Sequence, residues 1–298
     1  MANSMIITTL MGGLGNQMFQ YAAGRRLAYR LGVALKLDLS RLGNEPTGVT
    51  PRCYALDHFP IHAGPATCEE VSSLYQPQPG RIRRVLNRMG RWQRITHIRG
   101  SKHRFEPEVL QLPDGVLLDG YWQSERYFSD IAAVIRNEFA PLAQPEGHSR
   151  DIASAIEACT AVSIHIRRGD YVTDATIAAK HGTCSALYYQ RSVDLVAART
   201  ENPHFFVFTD DPVWVRDNFQ IPHAMTLVDH NGPGQAHEDL MLMSACRHHI
   251  IANSSLSWWG AWLDPRPDKI VIAPSRWFID PAIDARDLTP ESWLRVAG

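Results

Sequence analysis

The sequence predicts an α/β protein of two domains, each built on a parallel β-sheet. Three features carry this prediction: a strand, glycine turn and helix at the start of the chain, a regular alternation of apolar strands and helices after residue 160, and a proline-containing stretch between them. Because 298 residues with 45% hydrophobic composition can form two cores of about 150 residues each, two domains are favoured over one.

The first segment has the pattern of a strand that turns into a helix. Met5–Leu10 is β-prone, a glycine turn follows at residues 12–15, and apolar residues recur on one face of a helix from about residue 16 to residue 30. A second short strand is predicted at Ala34–Leu37, which completes the opening of a βαβ unit. Residues 40–80 have weak periodicity and are predicted to be loop-rich.

The C-terminal half alternates more regularly. Its predicted strands are Ala161–Ile166, Phe205–Thr209, Met225–Val228, His249–Ala252 and Lys269–Ala273, and its predicted helices are Ser185–Glu201, Pro212–Asn218, Glu238–Cys246 and Ser255–Leu263. Short, nearly continuous apolar strands separated by helices indicate a doubly wound, Rossmann-type sheet covered on both faces. Residues 140–149 suit a linker, so the predicted domains are 1–145 and 150–298.

Composition and missing motifs exclude several classes of function. Thirty basic and 31 acidic side chains give a net charge of -1, so no overall field favours nucleic acid. No stretch approaches the roughly 18 apolar residues of a membrane span, and the N-terminus lacks a signal-peptide pattern. The sequence contains no HExxH, GxxxxGK[ST], CxxC or Asp-x-Asp motif. We therefore expect an intracellular protein that meets phosphate charge with its own side chains and needs no metal.

Polar residues that follow the predicted C-terminal strands should share one edge of the sheet, because parallel strands end there together. Arg167 and Arg168 follow the first of these strands, and a guanidinium can bind a diphosphate bidentately. Asp170 could orient that guanidinium, and strand alternation places His165 on the same side as Arg167. The alternative is a solvated arginine pair before a turn.

Serine residues lie where the fourth predicted strand passes into a helix. Free backbone amides at a helix start, with hydroxyl groups beside them, form an anion site. The residues of this predicted site are Asn253, Ser254, Ser255 and Ser257. Taken alone, such serines are more often only helix caps.

Acidic pairs follow two further strands. Asp210 and Asp211 could accept the N1 and N2 protons of guanine, or one of them could cap the helix that starts at Pro212. Glu238 and Asp239 begin another helix, where acidic residues stabilise the N-terminus, and a ribose or guanine contact is the alternative.

Two N-terminal features could bind ligand. The turn with Gly13, Gly15 and Asn16 lacks the third glycine of GxGxxG, but its glycines permit close backbone approach to a nucleotide. The aromatic segment 120–128 suits either stacking on sugar rings or core packing.

One segment is strongly basic. Residues Arg81–Arg104 contain nine Arg or Lys and no acid, with apolar residues at helical spacing. They are interpreted as a surface helix, with peripheral contact to an anionic membrane as the alternative.

Five stretches together resemble glycosyltransferase family 11, the galactoside α-1,2-fucosyltransferases. They are residues 12–22 (GGLGNQMFQYA), 120–125 (GYWQSE), 165–171 (HIRRGDY), 208–211 (FTDD) and 251–262 (IANSSLSWWGAW). The resemblance implies a GT-B fold, in which two Rossmann-like domains face each other across a cleft, with GDP-fucose held mainly by the C-terminal domain and no metal. It makes Arg167 a diphosphate contact with His165 beside it, the Asn253 segment a second diphosphate contact, and Asp210 or Asp211 a guanine reader.

The reaction implied is inverting transfer of fucose to O2 of a terminal galactose on a glycan. Candidates for the base are Asp174, His181 and Glu238. Without the N-terminal anchor of the animal members, a bacterial cytoplasmic enzyme of surface polysaccharide (O-antigen) synthesis is expected, peripheral at the inner membrane face if the basic segment binds lipid. The alternatives are another GDP-sugar transferase and a non-catalytic nucleotide- or glycan-binding module.

Overall fold

The computed structural model describes residues 4–44, 51–75, 96–100 and 103–298. They form two compact units. Unit 1 contains residues 4–44, 51–54 and the described part of 61–138, and unit 2 contains residues 55–60 and 139–298. The division after Glu138 lies shortly before the predicted linker. Segment 55–60 joins the second unit although it precedes most of the first one in sequence.

Unit 1 is a parallel sheet with helices. Its strands are β1 (Met5–Thr9), β2 (Ala34–Asp38), β3 (Gly64–Pro65), β4 (His97–Arg99) and β5 (Val116–Asp119), and its helices are α1 (Leu14–Leu31), α2 (Cys68–Leu74) and α3 (Ala132–Glu138), with 3₁₀ turns at Pro107–Gln111, Glu125–Tyr127 and Ser129–Ile131. The strand order is β3-β2-β1-β5-β4, and every pairing is parallel.

Glycines set both ends of α1. Gly12 adopts φ +76 and so turns the chain out of β1, and Gly13 occupies the position before the first helical residue. Gly32 closes the helix in the left-handed conformation, with φ 66. The predicted helix is therefore confirmed, with slightly wider bounds.

The loop-rich prediction was wrong for α2. Thr67 accepts a hydrogen bond from the backbone N–H of Glu70 at 3.2 Å, while the Glu70 carboxylate accepts one from the backbone N–H of Thr67 at 2.9 Å. This reciprocal capping box starts a helix of seven residues. The weak periodicity of residues 40–80 did not reveal this helix.

Unit 2 is a larger parallel sheet. Its strands are β6 (Thr160–Ile166), β7 (Pro203–Thr209), β8 (Met225–Val228), β9 (His248–Ile250), β10 (Val271–Pro274) and β11 (Leu294–Val296), and its helices are α4 (Gly147–Glu157), α5 (Gly169–Thr173), α6 (Ala175–His181), α7 (Ala186–Ala197), α8 (Pro212–Asn218), α9 (Ala236–Ala245) and α10 (Ser255–Leu263), with a 3₁₀ turn at Pro233–Gln235. The strand order is β11-β10-β9-β6-β7-β8, again all parallel. The predicted α/β fold class, with two parallel sheets, is confirmed.

Strand β7 shows why the sheet of unit 2 has apolar side chains on both faces. Phe205 and Val207 pack with residues of α7 on one face, and Phe206 and Phe208 pack with residues of α4 and α9 on the other. Burial of each such side chain stabilises the fold by roughly 2 kcal/mol. Both faces are therefore core, and the polar groups of the strands collect at their carboxyl ends.

The tryptophans of α10 belong to the core. Trp258 and Trp259 are fully buried and Trp262 is nearly so. The indole N–H of Trp258 donates to the carbonyl oxygen of Leu288 at 2.9 Å, so this buried donor is satisfied.

Candidate functional site

Register places the arginine and aspartate segments of unit 2 side by side. Strand β6 lies between β9 and β7, and Ile166 at the end of β6 pairs with Thr209 at the end of β7. Arg167 and Asp210 are the next residue of each strand. Arg167 and Asp210 therefore lie together at the carboxyl edge of the sheet, as the sequence predicted.

Arg167 is held by two carboxylates. Its Nη2 lies 2.6 Å from Oδ1 of Asp170, and its Nη1 lies 2.9 Å from Oδ2 of Asp210. Its guanidinium carbon also lies 5.5 Å from the centroid of the Tyr171 ring. Burial acts to lower the pKa of Arg167, but the charges of Asp210 and Asp170 raise it overall. Asp170 thus orients the guanidinium as predicted, and the charge of Arg167 is permanent.

Arg168 is fixed separately. Its backbone N–H donates to Oδ1 of Asp210 at 2.8 Å, and its Nε donates to Oδ2 of Asp211 at 3.1 Å. The guanidinium lies 3.9 Å from the ring centroid of Trp214, within cation–π range. Its polar and aromatic contacts hold Arg168 against α8, whereas Arg167 lies between Asp170 and Asp210.

The two aspartates after β7 have different roles. Asp211 caps α8, because its Oδ1 accepts the backbone N–H of Trp214 at 3.2 Å, with Pro212 in the first turn. Asp210 spans Arg167 and the backbone of Arg168. The capping interpretation therefore describes Asp211, and guanine recognition by either residue stays a prediction.

Gly169 is required by the close approach of Asp210. A Cβ at this position would lie 2.4 Å from Oδ2 of Asp210 and 3.1 Å from its Cγ. A side chain at residue 169 would displace the carboxylate that holds Arg167.

His165 is a neutral, buried neighbour of this cluster. It is 5% exposed, and in the described part of the chain its buried Nδ1 has no hydrogen-bond partner. Burial lowers the pKa of His165 to about 4, with Asp210 opposing that shift and Arg167 adding to it. His165 is therefore uncharged at neutral pH.

The segment before α10 divides into two parts. The Asn253 side chain is buried, and its Nδ2 donates to three carbonyl oxygens at 3.0–3.1 Å, those of His181, Gly182 and Trp277. It therefore ties together the loops after α6 and β10. Ser254 and Ser255, at the start of this nine-residue helix, make no side-chain hydrogen bond among the described residues. Ser257 is buried and donates to the carbonyl oxygen of Ser254 at 3.2 Å.

The structure brings one base candidate to the neighbours of Arg167. The His181 ring lies 4.8 Å from the ring of Tyr171 and 5.0 Å from that of Phe278. Asp174 lies between α5 and α6, where its Oδ1 accepts the backbone N–H of Ile177 at 3.1 Å.

Glu238 and Asp239 make a separate set of contacts at the start of α9. The Glu238 carboxylate accepts hydrogen bonds from Ser149 at 2.5 Å and Gln235 at 3.0 Å, and the first of these is the main cause of its lowered pKa. Asp239 accepts one from Asn231 at 2.7 Å, while burial raises its pKa to about 6.

The predicted residues of unit 1 form a braced turn. The Asn16 side chain accepts a hydrogen bond from Gln123 at 2.8 Å, which ties α1 to the segment after β5. Two fully buried glutamines also stabilise the turn. The Gln17 side chain donates to the carbonyl oxygen of Gly12, and the Gln20 side chain accepts from the backbone N–H of Met11 and donates to its carbonyl oxygen. Gly13 and Gly15 are the backbone positions around that turn.

Sequence reasoning missed a cluster at the carboxyl edge of unit 1. It consists of Arg41, His97, Arg99 and Asp119. The rule that found Arg167 would have found Asp119, which ends β5, but β4 and β5 were not predicted. The aromatic segment after β5 divides as well: Trp122, Tyr127 and Phe128 are buried, whereas Tyr121 is 37% exposed.

Two further predictions depend on residues outside these clusters. Most of Arg81–Arg104, namely 81–95 with 101 and 102, lies outside the described residues. No helix among the described residues is long and apolar enough to cross a membrane. Nor do any three His, Cys, Asp or Glu side chains there form a group that could hold a metal ion, and the metal-free reaction stays a prediction.

Known proteins match this chain over most of its length. The family model described as Glycosyl transferase family 11 matches residues 95–297. An alpha-1,2-colitosyltransferase of Escherichia coli is 33% identical, with 98% of this chain and 99% of the relative aligned. The O-antigen biosynthesis glycosyltransferase WbnK of Escherichia coli is 30% identical, over 96% and 99%.

A solved structure of the α-1,6-fucosyltransferase NodZ, soaked with GDP-fucose, has a TM-score of 0.45 and 15% identity, covering 90% of this chain and 94% of NodZ. The family model spans more than half of the chain, and it matches four of the five stretches on which the resemblance rested. The chain belongs to glycosyltransferase family 11.

Proposed function

We propose that the protein transfers L-fucose from GDP-β-L-fucose to O2 of a terminal β-galactose, with inversion to an α linkage. The observation that carries this proposal is Arg167, a permanently charged guanidinium fixed at the carboxyl edge of the unit 2 sheet by Asp170 and Asp210. Galactoside α-(1,2)-fucosyltransferases of mammals are among the relatives of the chain, at 24–30% identity.

Arg167 would stabilise the leaving group. A guanidinium has five N–H donors, and the two carboxylates engage one N–H on each of Nη1 and Nη2, so the remaining donors can meet a diphosphate oxygen. As the bond between fucose C1 and the phosphate oxygen breaks, its electron pair leaves with GDP. A preorganised cation reduces the cost of that developing charge.

The hydroxyl groups at the start of α10 supply a second donor set. Ser254 and Ser255 have no competing side-chain hydrogen bond among the described residues, and the helix start adds backbone N–H groups. Asn253 would act differently, since its amide is engaged with three carbonyl groups and so fixes the loop that carries the serines.

The acceptor must lose the proton of O2 as O2 bonds to C1. Of the three base candidates, Glu238 is the least suited, because hydrogen bonds from Ser149 and Gln235 stabilise its charged form and lower its pKa. We favour His181, whose ring lies against Tyr171, itself beside Arg167.

A second donor is supported by a specific observation, the 33% identity to an alpha-1,2-colitosyltransferase. Colitose is fucose without the hydroxyl at C3. A site that hydrogen-bonds this hydroxyl rejects the deoxy sugar strongly, whereas a site with an apolar surface there accepts both. GDP-fucose and GDP-colitose as donor substrates therefore imply different polarity in the part of the site that surrounds C3 of the sugar.

The deciding experiment offers GDP-fucose and GDP-colitose separately, with lactose as acceptor. We expect the higher kcat/KM with GDP-fucose and a product linked to O2 of galactose by NMR. Fucose at another carbon would refute the linkage, and a higher kcat/KM with GDP-colitose would reassign the donor. Binding of GDP without any transfer would favour a non-catalytic module.

The proposed setting is O-antigen synthesis in a bacterial cytoplasm. Two related proteins from Escherichia coli, which align over nearly their whole length, support this setting. One of them is an O-antigen biosynthesis glycosyltransferase. Fractionation of cells that express the native protein tests the location, and a high-salt wash separates a free protein from one attached to membranes by charge.

A further inference from the structure

The carboxyl edge of the unit 1 sheet carries a cationic cluster that the proposed donor site does not use. Asp119 ends β5, Arg99 ends the adjacent strand β4, and Arg41 follows β2 on the other side of β1. Nη1 of Arg41 also lies 3.9 Å from Sδ of Met11. The cluster is therefore next to the glycine turn that begins α1.

A single carboxylate serves both arginines. Oδ2 of Asp119 lies 2.7 Å from Nη2 of Arg41 and 3.7 Å from Nε of Arg99. The same oxygen lies 3.1 Å from Nε2 of His97, a buried ring. Asp119 is buried, and its Oδ2 is occupied by these three contacts.

The guanidinium groups of Arg41 and Arg99 remain partly exposed although both lie near Asp119. The side chain of Arg41 is 46% exposed and that of Arg99 is 41% exposed. The nearest further acid in sequence is Asp38, whose carboxylate is buried and accepts hydrogen bonds from Thr9 and the Ser40 backbone. Two exposed cations with one shared, buried anion leave an excess positive charge on the surface.

An aromatic residue follows this cluster in the chain. Tyr121 comes two residues after Asp119, which ends β5 and binds Arg41. The ring of Tyr121 is 37% exposed and stacks on His103 at 5.9 Å. A partly exposed ring together with such donors matches the two needs of sugar recognition, an apolar face and hydrogen bonds.

The loop that presents Tyr121 is held in an unusual backbone conformation. Trp122 has φ 54 and His103 has φ 65, a region that residues with a side chain seldom adopt. The Trp122 ring fills the space above two glycines: a Cβ at Gly100 or at Gly120 would approach it to 3.0 Å. Gly100 follows Arg99 and Gly120 precedes Tyr121, so this packing fixes the positions of both. Such strain persists where the surrounding structure requires it, commonly at ligand sites.

We propose that Arg41, Arg99 and Tyr121 form an acceptor subsite for a glycan residue that carries a carboxylate. This inference rests on the proposed function, which supplies the glycan acceptor. The sugar ring lies on Tyr121, and its carboxylate bonds the guanidinium groups that Asp119 holds in place. A planar guanidinium pairs with a carboxylate through two parallel hydrogen bonds, which a neutral hydroxymethyl group cannot reproduce.

The test compares two acceptors that differ in one group, lactose and β-galactosyl-(1→4)-glucuronic acid. We expect a KM about tenfold lower for the acidic acceptor at low salt, and a smaller difference at about 0.5 M salt. In Arg99→Gln and Arg41→Gln the ratio of the two KM values should fall towards one. Tyr121→Ala should raise both KM values, whereas Tyr121→Phe retains the ring and should raise neither.

Arg30→Gln is the matched control, because this exposed arginine of unit 1 lies in the last turn of α1 and donates to the carbonyl oxygen of Leu112. It should leave the KM ratio unchanged. If Arg41→Gln unfolds the protein, Arg99→Gln still tests the inference, since its contact with Asp119 is the longer one. Equal KM values for both acceptors in the native protein would overturn the subsite.

Saturation-transfer NMR of both acceptors without any donor separates this inference from the proposed function. Preferential binding of the acidic acceptor that is lost in Arg99→Gln supports the subsite even if the donor is not GDP-fucose. Equal binding of the two acceptors refutes the subsite even if fucose is transferred to O2.

Discussion

The Asp210 carboxylate binds Arg167 across the ends of two adjacent strands, with 2.9 Å between Oδ2 and Nη1. Its other oxygen accepts the backbone N–H of Arg168 at 2.8 Å. The orientation of the main cation of the site therefore depends on a residue 43 positions later in the chain. Substitutions at either end of this contact should affect catalysis more than folding.

Asp210→Asn should lower kcat by about tenfold to a hundredfold, because it keeps the shape of Asp210 but removes the charge that holds Arg167. The preference for GDP over UDP as a competitive inhibitor should stay the same. Inhibition constants for the two nucleotides measure this, and a lost preference would instead assign Asp210 to guanine recognition.

Arg167→Ala should lower kcat by roughly a hundredfold to a thousandfold, the usual effect of deleting one preorganised donor to a developing anion. Arg167→Lys should recover little of this, because an ammonium cannot span Asp170 and Asp210 in the same geometry. Arg247→Ala is the control, since this exposed arginine pairs only with Asp268 among the described side chains. Full turnover in Arg167→Ala would contradict the mechanism.

Gly169→Ala should impair turnover without a large loss of stability. The added Cβ would meet Oδ2 of Asp210 at 2.4 Å, so the carboxylate must move and release Arg167. We expect kcat to fall at least tenfold with a change in Tm of only a few degrees. Gly234→Ala is the control, because its Cβ would have nothing within 4 Å. Equal kcat values in the two variants would show that Asp210 is not displaced.

Stability should fall on acidification partly because of His249. This fully buried ring bonds Ser163 at 2.9 Å and Asp264 at 3.1 Å, and burial lowers its pKa to about 4. An unfolded histidine titrates near 6.5, so the stabilisation is complete above pH 6.5 and is lost as the pH falls towards 4. It amounts to at most about 3 kcal/mol.

Urea unfolding of the native protein and of His249→Gln between pH 7.5 and pH 4.5 measures this contribution. On acidification, the lowered pKa of His165 also decreases stability, whereas the raised pKa of Asp239 increases it. Both effects are present in the native protein and in His249→Gln, so the difference in unfolding free energy between these two proteins isolates His249. Parallel pH profiles would mean that folding does not change the pKa of His249.

Asn253→Asp should destabilise the protein by about 3 kcal/mol or more. The amide now donates to three carbonyl oxygens, and a carboxylate would place a buried negative charge against them. Thermal unfolding checks this, and Ser255→Ala, which removes no side-chain hydrogen bond among the described residues, is the comparison. An unchanged Tm would show that the loops after α6 and β10 hold without Asn253.

The sequence predicted the regularly alternating elements of the C-terminal half well. Pro212–Asn218 and Met225–Val228 were predicted with their observed bounds. Strand β6 was also predicted, and it begins one residue earlier than expected. Elements of the same lengths were lost in unit 1, among them α2 and β5, because they lie where strands and helices do not alternate regularly along the sequence.

At the candidate site of unit 2, the sequence identified the residues but not the side chains and backbone groups that they bind. Arg167 and Asp210 were both chosen from their places after strands, and guanine recognition was expected of Asp210 or Asp211. The structure adds that Asp210 holds Arg167, and guanine recognition stays a prediction. The segment that begins at Asn253 was expected to contact a diphosphate, which stays a prediction, and the structure adds that the Asn253 amide ties three chain segments together. Asp119 was not chosen because its strand was not predicted.

The sequence by itself determined the α/β class, the parallel order of strands and helices, the family and the edge at which polar residues collect, because these depend on local periodicity and on motifs contiguous in the chain. Only the tertiary structure decided which carboxylate pairs with which arginine and which aromatic ring stays exposed. Those contacts join residues far apart in sequence, such as Arg41 and Asp119, and strand register and loop conformation bring them together.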